Sequence, residues 1–299
     1  MQQIKTSTSA NQTQNWLLII AITLIWGSSY ILMKRGLEVF SPPQVAALRL
    51  LLTSLFVVPI FFRYLPTVPR AKLPYLALIA FVGNGMPPFL FTLAQQHIHN
   101  SSVVGILNST TPLFTLLVGV LAFGVHFSWR RLLGILIGLC GAIFLIWQNS
   151  HHSDANNQYE YGILVIIATF FYSLSANIVK KHGQQIHPIA INVTAFSILA
   201  IPSAVVLFST DFLLRVQTNP QSWRALGFLL ILAVLGTAVA NMLFYRLTQR
   251  TDAVFASITT YLMPLVAIAW GFADGESITW TYWLSMAIIL LGVYLTQRQ

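Results

Sequence analysis

The sequence predicts an all-α integral membrane protein of ten transmembrane helices, arranged as two inverted five-helix repeats with both termini on the cytoplasmic side. Three observations carry that prediction: a shortage of charge, ten long apolar runs, and an internal repetition with an odd number of runs in each copy. Of 299 residues, 16 are Lys or Arg and 7 are Asp or Glu. The charged share is 8%, where a soluble domain carries roughly 25%. Apolar residues make up 56% and the mean hydropathy is +0.73. A water-soluble fold of this composition exposes wide apolar patches and aggregates. Disordered, collagen-like and coiled-coil classes fail on the same figures. The lone Cys140 leaves no intrachain disulfide or cysteine metal cluster.

A helix needs about 20 mostly apolar residues to cross a hydrocarbon core of roughly 30 Å. The runs at 16–34, 44–62, 73–95, 101–123, 129–148, 160–180, 189–209, 223–246, 253–273 and 279–297 meet that length. Nine have an uncharged centre, and the second holds Arg49. The alternation of a membrane β-barrel is absent from them. Residues 1–15 are polar and read as a flexible cytoplasmic tail. The run after them is span-length and closes on Lys34-Arg35 without a clear cleavage site, so the first helix is expected to stay in place. Residues 16–148 then form the first five-helix repeat, 149–159 an outer linker, and 160–299 the second repeat.

Charge sets the orientation. With the N-terminus inside, 11 basic residues fall on the inner side and only Lys34, Arg35, Arg215 and Arg224 on the outer. That excess follows the positive-inside rule. The pI near 9.9 therefore reflects topology, and no nucleic-acid partner is expected because the basic residues form no patch.

At an offset of 146, Trp26 to Lys34 lies over Tyr172 to Lys180, and Pro42 over Pro188. At 152, Pro112-Leu113 lies over Pro264-Leu265. One residue of slippage aligns Gly124 to Trp129 with Gly275 to Trp280, and Gly141 with Gly292. Five crossings leave the chain on the opposite face, so the second copy is inverted. Inverted repeats mark several secondary-transporter folds, with substrate at the repeat interface near the midplane.

These residues resemble the drug/metabolite transporter superfamily, in particular its EamA-type ten-helix members. The resemblance rests on Leu24-Ile25-Trp26-Gly27-Ser28-Ser29-Tyr30, on Arg49, on Pro112 and Pro264, and on Gly275-Glu276-Ser277-Ile278-Thr279-Trp280. It covers the chain from Trp16 to Gln297, and Val125 stands where the second copy has Glu276. What it implies is a carrier of the bacterial cytoplasmic (inner) membrane that exports amino acids or related metabolites. Nucleotide sugars or xenobiotics are the alternative cargoes.

Polar groups in hydrocarbon are costly and turn toward a bundle interior or a water-filled cavity. Thr169, Ser173 and Asn177 share one helix face, as do Thr237, Asn241 and Tyr245, then Asn108, Thr111 and Thr115, and Trp26, Tyr30 and Lys34. Asn84 lies in Gly83-Asn84-Gly85-Met86-Pro87-Pro88, a run able to loosen its helix and free backbone carbonyls. Tyr172 and Tyr261 are deep enough to line a cavity. Pro87, Pro88, Pro112 and Pro264 are candidate helix breakers or gates. Each Ser, Thr or Asn also fits a purely structural role, an interhelical hydrogen bond averaging roughly 0.6 kcal/mol. Arg49 has three readings, a substrate ligand, a gate, or a cation snorkelling to the near interface. Lys34 and Lys180 read as interfacial anchors.

The competing class is an integral-membrane enzyme. His97 and His99, His151-His152-Ser153-Asp154, and His187 with Asn192 are the candidates for it, and none makes an acid–base pair. Walker and Rossmann signatures are missing. No cofactor or metal is expected. The expected partners are a small-molecule substrate and the lipid bilayer, the mode is alternating access, and the oligomeric state is not readable. No acid falls at mid-span, which points to facilitated diffusion or exchange ahead of proton coupling through a membrane carboxylate.

Overall fold

Inside hydrocarbon a backbone must satisfy its own hydrogen bonds, which leaves the helix as the form open to uninterrupted apolar runs. The computed structural model describes residues 3–125, 129–151, 158–257 and 259–297, and every regular element among them is helical. The long elements are α1 (Gln3–Leu37), α2 (Pro42–Tyr64), α3 (Arg70–His97), α4 (Ser101–Phe123) and α5 (Trp129–His151). They continue as α6 (Gly162–His182), α7 (Pro188–Phe208), α8 (Ser222–Arg250), α9 (Ala253–Ala273) and α10 (Trp280–Gln297). Eight of these, α1–α4 and α6–α9, contain segments long and apolar enough to cross a membrane. The apolar stretches described in α5 and α10 are shorter, Leu132–Leu145 and Trp280–Gly292.

The polar leader is not a structureless tail. Helix α1 starts at Gln3 and runs unbroken into the apolar part. Once a helix is nucleated, each further residue adds a hydrogen bond at little cost, so a polar extension can ride on an apolar span.

Packing is paired. α2 lies along α7 and α5 along α10, while α1 runs against α8 and α9, and α6 against α3 and α4. The contacts of α1 with α8 and α9 are thus answered by those of α6 with α3 and α4, each partner five elements away. Val45 and Leu48 of α2, Val103 and Ile106 of α4, and Ala267 of α9 are buried where these helices meet. Phe62, Leu121, Ile201 and Phe272 point outward, as lipid-facing side chains do. Trp147, Trp223 and Trp280 are exposed near helix ends, and Trp16 near the start of the apolar part of α1, places where indole favours the membrane interface.

Four helices are interrupted. α3 winds as a π-helix over Ile79–Gly85 before the α-helix Met86–His97, whose first turn holds Pro87 and Pro88. Two prolines without N–H groups cannot donate to the carbonyls of Gly83 and Asn84, and the winding widens just ahead of them. α8 has a second π segment, Val234–Val239, with no proline to announce it. α4 breaks between Asn108 and Thr111, where Pro112 cannot donate to the Asn108 carbonyl. The Thr111 hydroxyl donates to that carbonyl instead, at 2.7 Å. α9 turns at Ser257, and Ile258 lies outside the described residues. Pro264, expected to break its helix, sits inside the helix Thr259–Ala273 without ending it.

Candidate functional site

A cavity of about 810 Å³, its open mouth included, lies among α1, α2, α3, α4, α6, α8 and α9. Its wall is formed by Trp26, Ser29, Tyr30 and Met33 of α1, Arg49 of α2, and Gly83, Asn84 and Phe91 of α3. Asn108, Thr111 and Thr115 of α4 and Tyr172, Ser175 and Ala176 of α6 continue it. Asn241, Phe244 and Tyr245 of α8 and Ser257, Thr260 and Met263 of α9 complete it. The mix of aromatic faces with a few fixed polar groups is that of a ligand site.

The π segment of α3 puts Asn84 on the wall, and that of α8 holds wall residues from behind. Asn84 donates from Nδ2 to the Ile79 carbonyl five residues back (3.2 Å) and to the Tyr245 hydroxyl (2.8 Å). Its Oδ1 accepts from Asn241 Nδ2 at 2.6 Å, so α3 and α8 are tied side chain to side chain. Thr237 repeats the pattern: its hydroxyl donates to the Leu232 carbonyl (3.0 Å) and accepts from Arg49 Nε (2.6 Å). Carbonyls along and just before the α8 segment are claimed by other side chains besides Arg49. Trp26 Nε1 donates to Gly236 (3.0 Å), Thr53 to Ala233 (3.0 Å) and Asn192 to Ala238 (2.7 Å).

Glycine lets these helices cross closely. A Cβ on Gly236 would come within 2.6 Å of Ser29 Oγ, and one on Gly83 would strike Ser175 Oγ. Ser29 and Ser175 are 146 positions apart, the offset of the first repeated stretch, and the two glycines are 153 apart. The α1–α8 crossing and the α6–α3 crossing are therefore built from matching residues.

Of the residues singled out in the sequence, ten line the cavity: Trp26, Tyr30, Arg49, Asn84, Asn108, Thr111, Thr115, Tyr172, Asn241 and Tyr245. Four others sit behind the wall. Ser173 donates to the Thr111 carbonyl (2.9 Å) and Asn177 to the Thr115 carbonyl (3.0 Å), fastening α6 to α4. Thr237 holds Arg49, and Tyr261 is buried beside Leu113, Leu116 and Ile135. Phe91, Met263, Phe244 and Ser257 were missed. Phe91 and Met263 carry no signal in a chain with 20 Phe and 6 Met, whereas Ser29 and Ser175 lay in the repeated stretch and were overlooked.

Two of the candidate histidines have other occupations. His97 stacks on Tyr161 at 3.7 Å between ring centroids and bonds Gln158 at 2.8 Å. His187 accepts from the Ile189 N–H at 3.3 Å, capping α7. His152, Ser153 and Asp154 lie outside the described residues.

A second polar group closes the far end of α1. Lys34 is no free interfacial anchor: its Nζ lies 2.6 Å from Asp274 and 2.9 Å from Glu276, and Arg35 also pairs with Asp274. Both oxygens of the Glu276 carboxylate accept hydrogen bonds at the start of α4. Oε1 takes the N–H and hydroxyl of Ser101, both at 2.8 Å, and Oε2 takes the Ser102 hydroxyl at 2.7 Å. A carboxylate at a helix N-terminus is doubly favoured, by unpaired N–H groups and by the helix dipole. Burial raises the Glu276 carboxyl, but Lys34, Ser102 and the Ser101 N–H outweigh it and hold the group below its ordinary value. One residue thus joins α1, α4 and the α9–α10 turn.

The chain matches the model of the EamA-like transporter family over residues 15–147 and 161–298. An uncharacterized inner membrane transporter of Escherichia coli (strain K12), YedA, is 27% identical over 93% of this chain and 88% of its own length. An uncharacterized transporter of Archaeoglobus fulgidus is 22% identical over 96% of this chain and 99% of its own. A probable amino-acid metabolite efflux pump of Salmonella typhimurium is 25% identical over 93% of each chain. One protein crystal structure, 14% identical, aligns with a TM-score of 0.62 over 95% of this chain and 96% of its own, a likeness of fold alone.

Proposed function

The chain belongs to the EamA-like transporter family, and on that premise we propose that it is a secondary carrier of the inner membrane. It exports small organic metabolites, amino acids or related compounds, by alternating access. The observation that carries this reading is the cavity at the crossings of α1 with α8 and of α6 with α3, where the π segment of α3 places Asn84 on the wall and that of α8 holds Arg49 through Thr237. Sites of this kind, made by broken helices at a repeat interface, belong to carriers. All ten long helices cross the membrane in this reading, as two inverted halves with both termini cytoplasmic. The exchanged packing of α1 and α6, and the two separate stretches matched by the family model, support it.

Motion follows from the same arrangement. The Lys34–Glu276 cluster holds one end of the bundle together, and its release opens that end as the other closes. Among the described residues no carboxylate lines the cavity, which favours facilitated diffusion or exchange over proton coupling through a wall residue.

Purified protein in liposomes, loaded with a metabolite panel, tests the reading by counterflow. Labelled solute is expected to exchange without chemical change; conversion to a product without exchange would make the protein an enzyme. Orientation is tested separately in a Cys140→Ser background. A membrane-impermeant thiol reagent is expected to label a cysteine at Asn156, which lies outside the described residues, and not one at Arg70. The reverse pattern overturns the orientation.

A further inference from the structure

We infer that the cargo is an organic mono-anion, a carboxylate on an apolar or aromatic body, whose charge is met by Arg49 and which carries no ammonium group. This rests on the carrier reading and narrows its cargo, setting amino acids themselves aside in favour of related carboxylates.

Arg49 is 9% exposed and faces the cavity. Its hydrogen bonds go to neutral acceptors, from Nε to the Thr237 hydroxyl (2.6 Å) and from Nη2 to the Gly236 carbonyl (3.5 Å). Its Nη1 has no hydrogen-bond partner among the described residues. None of the five ion pairs among those residues includes it; the carboxylates that form them are Glu38, Asp211, Asp274 and Glu276, all engaged elsewhere. A guanidinium does not give up its proton to escape burial. A buried cation without a partner is costly, and the part of its surroundings free to change is what occupies the cavity. The snorkelling reading does not hold either, because the side chain is fixed toward the π segment of α8 instead of reaching the interface.

The rest of the wall sets the remainder of the ligand. Phe91 packs between Tyr30 and Tyr172, with ring centroids 6.3 and 5.8 Å away, and Trp26 lies against Phe244 at 5.1 Å. These faces suit an apolar or aromatic body. An α-ammonium finds no carboxylate on this wall and shares the cavity with Arg49. One guanidinium matches one carboxylate, in the planar fork geometry these groups prefer. A phosphate dianion would leave a charge unmet.

The test uses the full chain, purified, with three probes of one shape: 3-phenylpropanoate, phenylalanine and phenethylamine. Binding is read by equilibrium titration and transport by counterflow. The carboxylate is expected to bind at least about tenfold more tightly than the amino acid, the amine not measurably, and Arg49→Lys to weaken the carboxylate at least about tenfold. Thr237→Val, which loosens the guanidinium without removing it, is expected to weaken the carboxylate as well while sparing the fold. Equal or tighter binding of phenylalanine or phenethylamine overturns the inference, as does wild-type carboxylate affinity in a folded Arg49→Lys protein, or no binding of any probe. Counterflow of a mixed panel separates the two readings. Exchange of neutral or cationic solutes alone overturns the mono-anion and keeps the carrier. No exchange of any solute overturns both.

Discussion

Lys34 and Lys180 end matching helices, 146 positions apart, and meet opposite surroundings. Lys34 is held by two carboxylates, Asp274 and Glu276. Lys180 donates to a single backbone carbonyl, that of Thr251, and no carboxylate pairs with it among the described residues. Helices α4 and α9 are each followed by a glycine, and the two glycines are 151 positions apart. Gly124 and Gly275 both take a left-handed conformation, with φ of 73° and 81°, and no other described residue does. The residue after each glycine differs: Val125 in one turn, Glu276 in the other. The carboxylate after Gly275 makes that end an ionic clasp, and Val125 after Gly124 brings no charge to the other.

Glu276→Gln breaks the comparison most severely. It leaves Lys34 half-paired in a mostly buried place and is expected to cost about 3 kcal/mol, as for a broken buried ion pair. Unfolding in detergent reads the loss; a value within about 1 kcal/mol of zero would put the clasp among ordinary surface pairs. The same pair of proteins shows the sign of the pH dependence. A carboxyl held below its ordinary value adds stability above that value and loses it as pH falls through the lower, folded one. The gap between wild type and Glu276→Gln is thus expected to stay constant down to about the ordinary 4.5 and to close below it. A gap that closes at neutral pH contradicts the assigned direction.

Next in size come the two helix crossings. Gly236→Ala and Gly83→Ala each push a methyl into a serine of the facing helix, at a cost of about 1–3 kcal/mol. If the crossings are equivalent, the two losses agree, and Ser29→Gly or Ser175→Gly restores its own partner only. A neutral Gly83→Ala beside a damaging Gly236→Ala would show that only the α1–α8 crossing is tight. Lys180→Met is expected to matter least, about 1 kcal/mol for one hydrogen bond. A loss as large as that of Glu276→Gln would reveal a second clasp that the geometry does not contain.

Much of this was legible in the sequence, and the part that was not has a physical reason. Apolar length and the positions of Gly, Pro and Trp located the long helices. The Gly83 to Pro88 run announced the loosening of α3. The matching segment in α8 has no proline, and only its Gly236-Thr237 pair, 153 positions from Gly83-Asn84, hinted at it. Helical spacing found the right face of α6, but that face meets α4 as well as the cavity, so Ser173 and Asn177 became fasteners and Ser175 a wall residue. Lys34 and Glu276 are 242 positions apart. Spacing along one helix carries no record of such a partner, and Lys34 alone looks like any basic residue at a membrane surface.

The π segments have a consequence for chain length itself. In such a stretch the backbone reaches five residues back instead of four, so one extra link is taken up locally while the helix on each side keeps its facing. A sequence one residue shorter between Val234 and Val239 would leave Leu229 and Tyr245 on the sides they occupy now. It would forfeit the carbonyls that Trp26, Arg49 and Asn192 reach for. The inserted residue is spare in length, and what it adds is a set of acceptors offered sideways from the middle of a helix.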